Sequence, residues 1–419
     1  MSDWQSVIEA EWRKRAKLSP AKSFFPLIAQ SFDEREIIAV VDTLLTGQLT
    51  MANRVRDFEK SFAEYLDVPY AVMVNSGSSA NLLAVAVAVN PKRKKHFKIG
   101  DEVLVPAVCW STSVWPLMQL GLKPVFVDAD PCTLNIDLND LKKKITPLTR
   151  GAVAVHILGN AANMSEFKII CEANNLILIE DTCESLGSKA DGKYLGTQSD
   201  FGTFSFYYSH HITTGEGGMV VCHTLEDYDL LKCLRAHGWS RELSNKSELE
   251  KENSHVDPRF LFVNVGFNLR PMEIQAAFGV CQLERLKEMN KNRNSNHANL
   301  ISALKNNPRW AGQLEFPVAS TGVEPAWFGF PCLLPEKHGH KLRDFLNFLS
   351  ERGVENRPIV SGNFTRQPAL KLFDINCDPN DFTGAEAINN RGFFIGLHTE
   401  ALSPNMIEKL SEILLSYEF

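Results

Sequence analysis

The feature that most constrains this chain is an alternation of short apolar runs and helical patterns between residues 71 and 221. Strand-like runs cover 71–74, 102–105, 124–127, 152–157, 176–179, 204–206 and 219–221. Between several of them, apolar residues recur at helical spacing over 79–89, 112–120, 138–145 and 164–174. Strands joined by helical crossovers pair in parallel, and a parallel sheet is covered on both faces. The expected fold class is therefore α/β, with a mostly parallel sheet. Two further helical patterns, 32–45 and 55–66, precede it. The pattern changes near residue 240: 244–255 is polar and charged and reads as a surface excursion. A long helix is predicted over 271–304, with Pro271 in its first turn. Runs at 327–333, 341–352 and 405–417 suggest a smaller α+β domain. This gives an N-terminal arm over 1–31, a large α/β domain over 32–270, and the long helix with a small domain over 271–419.

Composition narrows the partners. The 419 residues are 44% hydrophobic and 22% charged with a net charge of -6, which argues against nucleic acid. The single basic run, 91–98, reads as a solvated loop. No apolar run reaches the roughly 18 residues of a membrane span. The N-terminus is charged from its third residue and lacks a signal-peptide core, so a cytoplasmic location without membrane contact is expected. Trp4, Val7, Ile8 and Trp12 fall at helical spacing, predicting an amphipathic arm helix that packs on a neighbouring subunit. The nine cysteines are scattered and form no Cys-x-x-Cys pair, so no metal or iron–sulfur framework is expected.

Chemistry-bearing residues gather where strands end, the rim at which open α/β sheets bind ligands. Asn75-Ser-Gly-Ser-Ser-Ala-Asn81 follows the first strand and opens a helix. Gly77 lets the backbone close on a ligand, and amides with the Ser78 hydroxyl suit a phosphate. Trp110 follows the second strand and could stack on a flat ring or fill the core. Ile179-Glu-Asp-Thr-Cys-Glu184 places three carboxylates after the fifth. There Asp181 could cap a helix or keep a ring nitrogen protonated. Phe201 to Gly218 carries Ser205, then His210 and His211, then a glycine turn. Adjacent side chains on a helix do not face the same way, which argues against a shared helical metal site for the histidine pair. By themselves the two histidines could be catalytic or structural.

Taken together, these residues resemble the DegT/StrS-type sugar aminotransferases, a family of fold-type I pyridoxal-phosphate enzymes, from about residue 25 to the end. The resemblance rests on Gly77-Ser78, Trp110, Glu180-Asp181, Ser205, Gly215-Glu-Gly-Gly218, Arg235-Ala-His-Gly238 and Gly266-Phe-Asn-Leu-Arg270. It implies an aspartate-aminotransferase-like fold. One position departs from the family. Ordinary members carry lysine where this chain has His210, and no lysine lies between Lys193 and Lys232. Ser209-His-His-Ile-Thr213 before the glycine turn, with Glu184 in place of glutamine, is similar to a lysine-lacking subgroup, the nucleotide-sugar 3-dehydratases.

The subgroup implies a noncovalently held cofactor, pyridoxal 5'-phosphate alternating with pyridoxamine 5'-phosphate. Its ring would lie against Trp110, its ring nitrogen on Asp181, and its phosphate on Gly77, Ser78 and Ser205, with Glu184 also in contact. Asn268 would reach the phosphate of a neighbouring subunit, so a homodimer with shared sites is implied. L-Glutamate would supply the amine and a nucleotide-linked 4-keto-6-deoxy sugar, GDP-linked by preference, would lose its C3 hydroxyl. His210 would act as the base, its ordinary pKa of about 6.5 lying near working pH. His237, Arg270 and Arg357 are the implied substrate contacts, and His211 is read as structural. A CDP-4-keto-6-deoxyglucose 3-dehydrase-like enzyme, which needs a reductase, is one rival. The stretch from Gly238 to Cys281 lacks the cysteine cluster that type carries. A non-catalytic ligand-binding family member is the other.

Overall fold

The computed structural model describes residues 3–18 and 23–419. Its centre is a seven-stranded sheet. The strands are β1 (Tyr70–Val74), β2 (Glu102–Pro106), β3 (Lys123–Val127), β4 (Thr149–Val155), β5 (Ile177–Asp181), then, after a short hairpin β6 (Lys189–Ala190) and β7 (Lys193–Tyr194), β8 (Phe201–Ser205) and β9 (Gly218–Cys222). Their spatial order is β1-β9-β8-β5-β4-β2-β3. Only β9 runs against its neighbours, so the other six point one way and end on one rim. β5, β8 and β9 are buried along their whole length, as central strands covered on both faces must be.

The covering helices explain themselves locally. Helix Gly77–Ala88 is apolar nearly all round and has nine buried residues, because it lies between the sheet and helix Leu225–Arg235. Ser76 caps it by accepting from the Ser79 amide. Helix Glu34–Leu45 starts at Asp33 with a capping box closed by Glu36.

The 34-residue helix Glu273–Asn306 spans about 51 Å at 1.5 Å per residue. It packs on helices Glu34–Leu45 and Asn53–Leu66 near its start. Its last turns place Leu300 and Leu304 in a second core with Phe330, Phe345, Phe393 and Leu410. There β11 (Gly329–Leu333), β12 (Asn356–Arg357) and β13 (Gly392–Gly396) form a small antiparallel sheet, after the edge strand β10 (Val323–Glu324) has joined the β6–β7 hairpin.

Several expected boundaries move. The long helix begins at Glu273, with Pro271 just outside it. Strand β4 stops at Val155, and residues 157–159 form a turn in which Leu158 has φ 50°. β5 extends through Asp181, so its carboxylate sits on a strand and not on a loop. β8 runs Phe201–Ser205, and the aromatic run leaves it: Tyr207 and Tyr208 are exposed. The basic run is only partly solvated, since Arg93 is held by Asp200 and Asp227 and Lys95 donates to the Leu176 carbonyl. The polar excursion contains a short helix, Lys246–Glu252, with no buried residue. On the arm helix Asp3–Leu18, Trp12 packs on Phe32 of its own chain at 5.6 Å, while Val7 stays exposed. No described helix is long and apolar enough to cross a membrane, and all nine cysteines are unpaired.

Candidate active site

The strand ends on the common rim surround a cleft of about 520 Å³. β1 leads into Ser76, Gly77 and Ser78, β2 toward Trp110, β4 into His156, β5 ends in Asp181, and β8 ends in Ser205. The far wall comes from elsewhere: residues 27–31, Arg293 of the long helix, Phe328, Arg357, and residues 397–399.

One end of the cleft is built for an anion. The first amides of a helix have no intrahelical acceptors, and helix Gly77–Ala88 turns that end to the cleft beside the Ser78 hydroxyl. Position 77 admits only glycine, because a Cβ there would occupy the space of the Ser205 side chain. Trp110, at the start of helix Ser111–Gln119, is 57% exposed and offers its ring to the cleft.

Asp181 is nearly buried, and two side chains fix its carboxylate. Its Oδ2 accepts from Asn81 Nδ2 (2.8 Å) and Ser113 Oγ (2.7 Å). Asn81 is oriented in turn by Thr203 Oγ1, which donates to Asn81 Oδ1 at 2.5 Å. The neighbouring Glu180 points to the other side. It pairs with His156 Nε2 at 3.0 Å and accepts from the Gly196 and Gln198 amides. Burial would raise the Glu180 pKa, and these partners more than reverse that, so it is lowered. Glu184 accepts from the Leu158 amide at 3.1 Å. Burial pushes it up to about 7, against that amide, with the Asp181 charge adding to the rise.

The two adjacent histidines point to different surroundings. His211 is buried and its Nε2 lies 2.8 Å from the Ala326 carbonyl oxygen. His210 borders the cleft, its ring 5.4 Å from that of Phe328 and its Nδ1 without a protein partner. The structure corrects the expectation of an ordinary pKa here. Burial lowers His210 to about 4, opposed by the Cys183 main chain and the Asp181 charge and reinforced by Arg293. At neutral pH the ring is uncharged and able to accept a proton.

Of the residues expected at the site, Gly77, Ser78, Trp110, Asp181, Glu184, Ser205, His210 and Arg357 all line this cleft. Asn268, His237 and Arg270 do not line it within their own chain. They form a separate cluster in which Arg270 Nε donates to Asn268 Oδ1 (3.0 Å) and Arg270 Nη2 lies 3.5 Å from His237 Nε2. The sequence reading missed the orienting pair Asn81 and Ser113, and it missed His156 and Arg293. Asn81 lay inside the phosphate-turn motif, one helical turn past Gly77, and was the readable one. The others gave no local signal.

A parallel sheet with a helix-borne phosphate end, an aromatic face and a doubly fixed strand-end aspartate defines a pyridoxal-phosphate site of fold type I. The chain belongs to the DegT/DnrJ/EryC1/StrS aminotransferase family, whose model matches residues 30–414. It is 41% identical over 394 residues to GDP-4-keto-6-deoxy-D-mannose 3-dehydratase of Yersinia pseudotuberculosis, covering 93% of this chain and 98% of that one. Lipopolysaccharide biosynthesis protein RfbH of Salmonella typhimurium is 35% identical over 90% of this chain and 88% of its own length. Among solved structures, an Escherichia coli GDP-4-keto-6-deoxy-D-mannose-3-dehydratase with bound hydrated pyridoxal phosphate superposes with a TM-score of 0.86 at 38% identity. That match covers 93% of this chain and 99% of the other.

Proposed function

We propose that this chain removes the C3 hydroxyl of a GDP-linked 4-keto-6-deoxy sugar, GDP-4-keto-6-deoxy-D-mannose, with L-glutamate as amino donor. The observation that carries the reading is His210 in a cleft whose described lining residues include no lysine. The relative solved with a trapped glutamate geminal diamine of the cofactor, 37% identical with a TM-score of 0.85, supports glutamate as donor.

Pyridoxal phosphate, when bound, supplies an electron sink that delocalises the charge left by proton removal. The residues present fit it. The Gly77–Ser78 amides and the Ser205 hydroxyl would hold its phosphate, Trp110 would cover a ring face, and Asp181 would hold the ring nitrogen's proton. Asn81 and Ser113 keep that carboxylate in place before the cofactor arrives, so little reorganisation is needed. With no lysine to form a covalent link, retention depends on these contacts alone.

His210, neutral at pH 7, would take a proton on its imidazole and return one to the departing C3 oxygen. Glu184, which titrates near 7, would donate a hydrogen bond below that pH and accept one above it. Asn268, His237 and Arg270 would serve the cleft of a second copy in a homodimer. The enzyme would work in the cytoplasm, where nucleotide sugars and glutamate meet.

The test is to incubate the protein with pyridoxal phosphate, L-glutamate and GDP-4-keto-6-deoxy-D-mannose and to follow the sugar by mass spectrometry. The expected product lacks the C3 oxygen and is accompanied by 2-oxoglutarate. A stable amino sugar would overturn the role given to His210.

A further inference from the structure

Residues 325–328, which cross from β10 to β11, bring Phe328 to the cleft wall, and each of them is fixed. Asn294 donates to the Pro325 carbonyl (2.8 Å) and accepts from the Trp327 amide (3.1 Å). The Ala326 amide donates to Ser188 Oγ (2.9 Å) and the Phe328 amide to the Leu158 carbonyl (3.0 Å). Position 159 admits no side chain, because a Cβ there would stand on the Ala326 carbonyl. That carbonyl faces the buried His211, whose Nε2 lies 2.8 Å from it. A carbonyl only accepts, so Nε2 carries the hydrogen. Burial and the charge of Arg293 hold the His211 pKa well below 6.5, so the ring is neutral. Its Nδ1 has no protein partner, and its one N–H is spent on the clamped segment.

His210 has no such anchor. Its amide donates to the Tyr207 carbonyl (2.9 Å), and its carbonyl accepts from Arg293 (3.5 Å), which has no carboxylate partner among the described residues. Its ring has an unpartnered Nδ1 and is held by the Cys183 main chain and two aromatic rings. Tyr207, at 6.2 Å, is exposed. Phe328, at 5.4 Å, is the firmer support and also lies 5.7 Å from the His211 ring. No covalent link ties residue 210 to the cofactor, so the aim of the base depends on where the loop after β8 sits relative to Phe328. His211 joins the two. Proton transfer needs hydrogen-bond reach, and a misplacement of about 1 Å costs on the order of a hundredfold in rate.

We propose that His211 is a positioning residue: its bond to the Ala326 carbonyl clamps the loop after β8 to residues 325–328 and so holds the His210 ring against Phe328. The proposal rests on the dehydratase reading for the role of His210. Its test compares His211→Phe, which keeps a ring and loses the donor, with His211→Gln, which keeps a donor. In H211F the single-turnover rates of both half-reactions, with glutamate and with the nucleotide sugar, fall by roughly tenfold or more. The Kd for pyridoxal phosphate stays within about threefold of wild type, since its contacts lie on other elements. H211Q recovers most of the rate. In cofactor-free protein with isotope-labelled histidine, the His210 ring titrates at about 4 in wild type and H211Q. In H211F, where water reaches the ring, it titrates nearer the ordinary value of about 6.5. Phe328→Leu lowers the same two rates, and the double variant is no slower than the slower single one. Rates in H211F within about threefold of wild type would overturn the proposal. So would a cofactor Kd that rises in step with the fall in rate, an H211Q as slow as H211F, or an unmoved His210 titration in H211F. If H211F does not fold, an F328L enzyme as fast as wild type overturns the proposal by itself. Failure of wild-type enzyme loaded with pyridoxamine phosphate to dehydrate the sugar would reject the dehydratase reading, while the glutamate half-reaction and the titration still test His211.

Discussion

Replacing His210 by glutamine should flatten the acid side of the stability profile, and the size of the effect follows from burial. The imidazole titrates at about 6.5 in the unfolded chain and at about 4 in the folded one. Between those values the unfolded state binds the proton and the folded state does not. Stability is therefore present above 6.5 and is lost as pH falls through the window toward 4. The full loss is about 3 kcal/mol, and about 2 kcal/mol of it has accrued by pH 5. His211, His297 and His398 are also lowered by burial, so wild type loses stability for several reasons at once. The difference between wild type and H210Q isolates one of them. Equilibrium urea unfolding at pH 7 and pH 5 should show wild type losing about 2 kcal/mol more than H210Q over that interval. Parallel losses in the two proteins would refute the claim that the folded cleft holds this ring neutral.

Three further outcomes follow from the cleft. Serine 113 supplies one of two side-chain donors to Asp181, so S113A should weaken cofactor binding by about 1 kcal/mol, a roughly fivefold rise in Kd by absorbance titration. Gly77→Ala sets a methyl against the Ser205 side chain and should abolish cofactor retention on gel filtration; pairing it with Ser205→Gly should restore part of it. Glutamate 184 is protonated below about 7, so the absorbance of bound cofactor should titrate near that pH in wild type, and the transition should be absent in E184Q.

Local sequence determined more of this protein than its length would suggest. Each strand of the large sheet is a short apolar run, because a strand covered on both faces has no polar side to show. The helices between them follow from spacing and caps. The residues that the strands deliver to the rim, from Gly77 to His210, were therefore legible as one set, and the missing lysine could be read by inspection. What the sequence left open depended on atoms brought together from far apart. Asn81 and Ser113 fix Asp181, and Thr203 orients Asn81, each from a different element. Arg293 looks like any polar residue of a long helix until packing buries it beside His210 without a carboxylate. The low pKa of His210 and the raised pKa of Glu184 likewise exist only because the fold removes water. Desolvation is a property of the assembled cleft, and no local pattern encodes it.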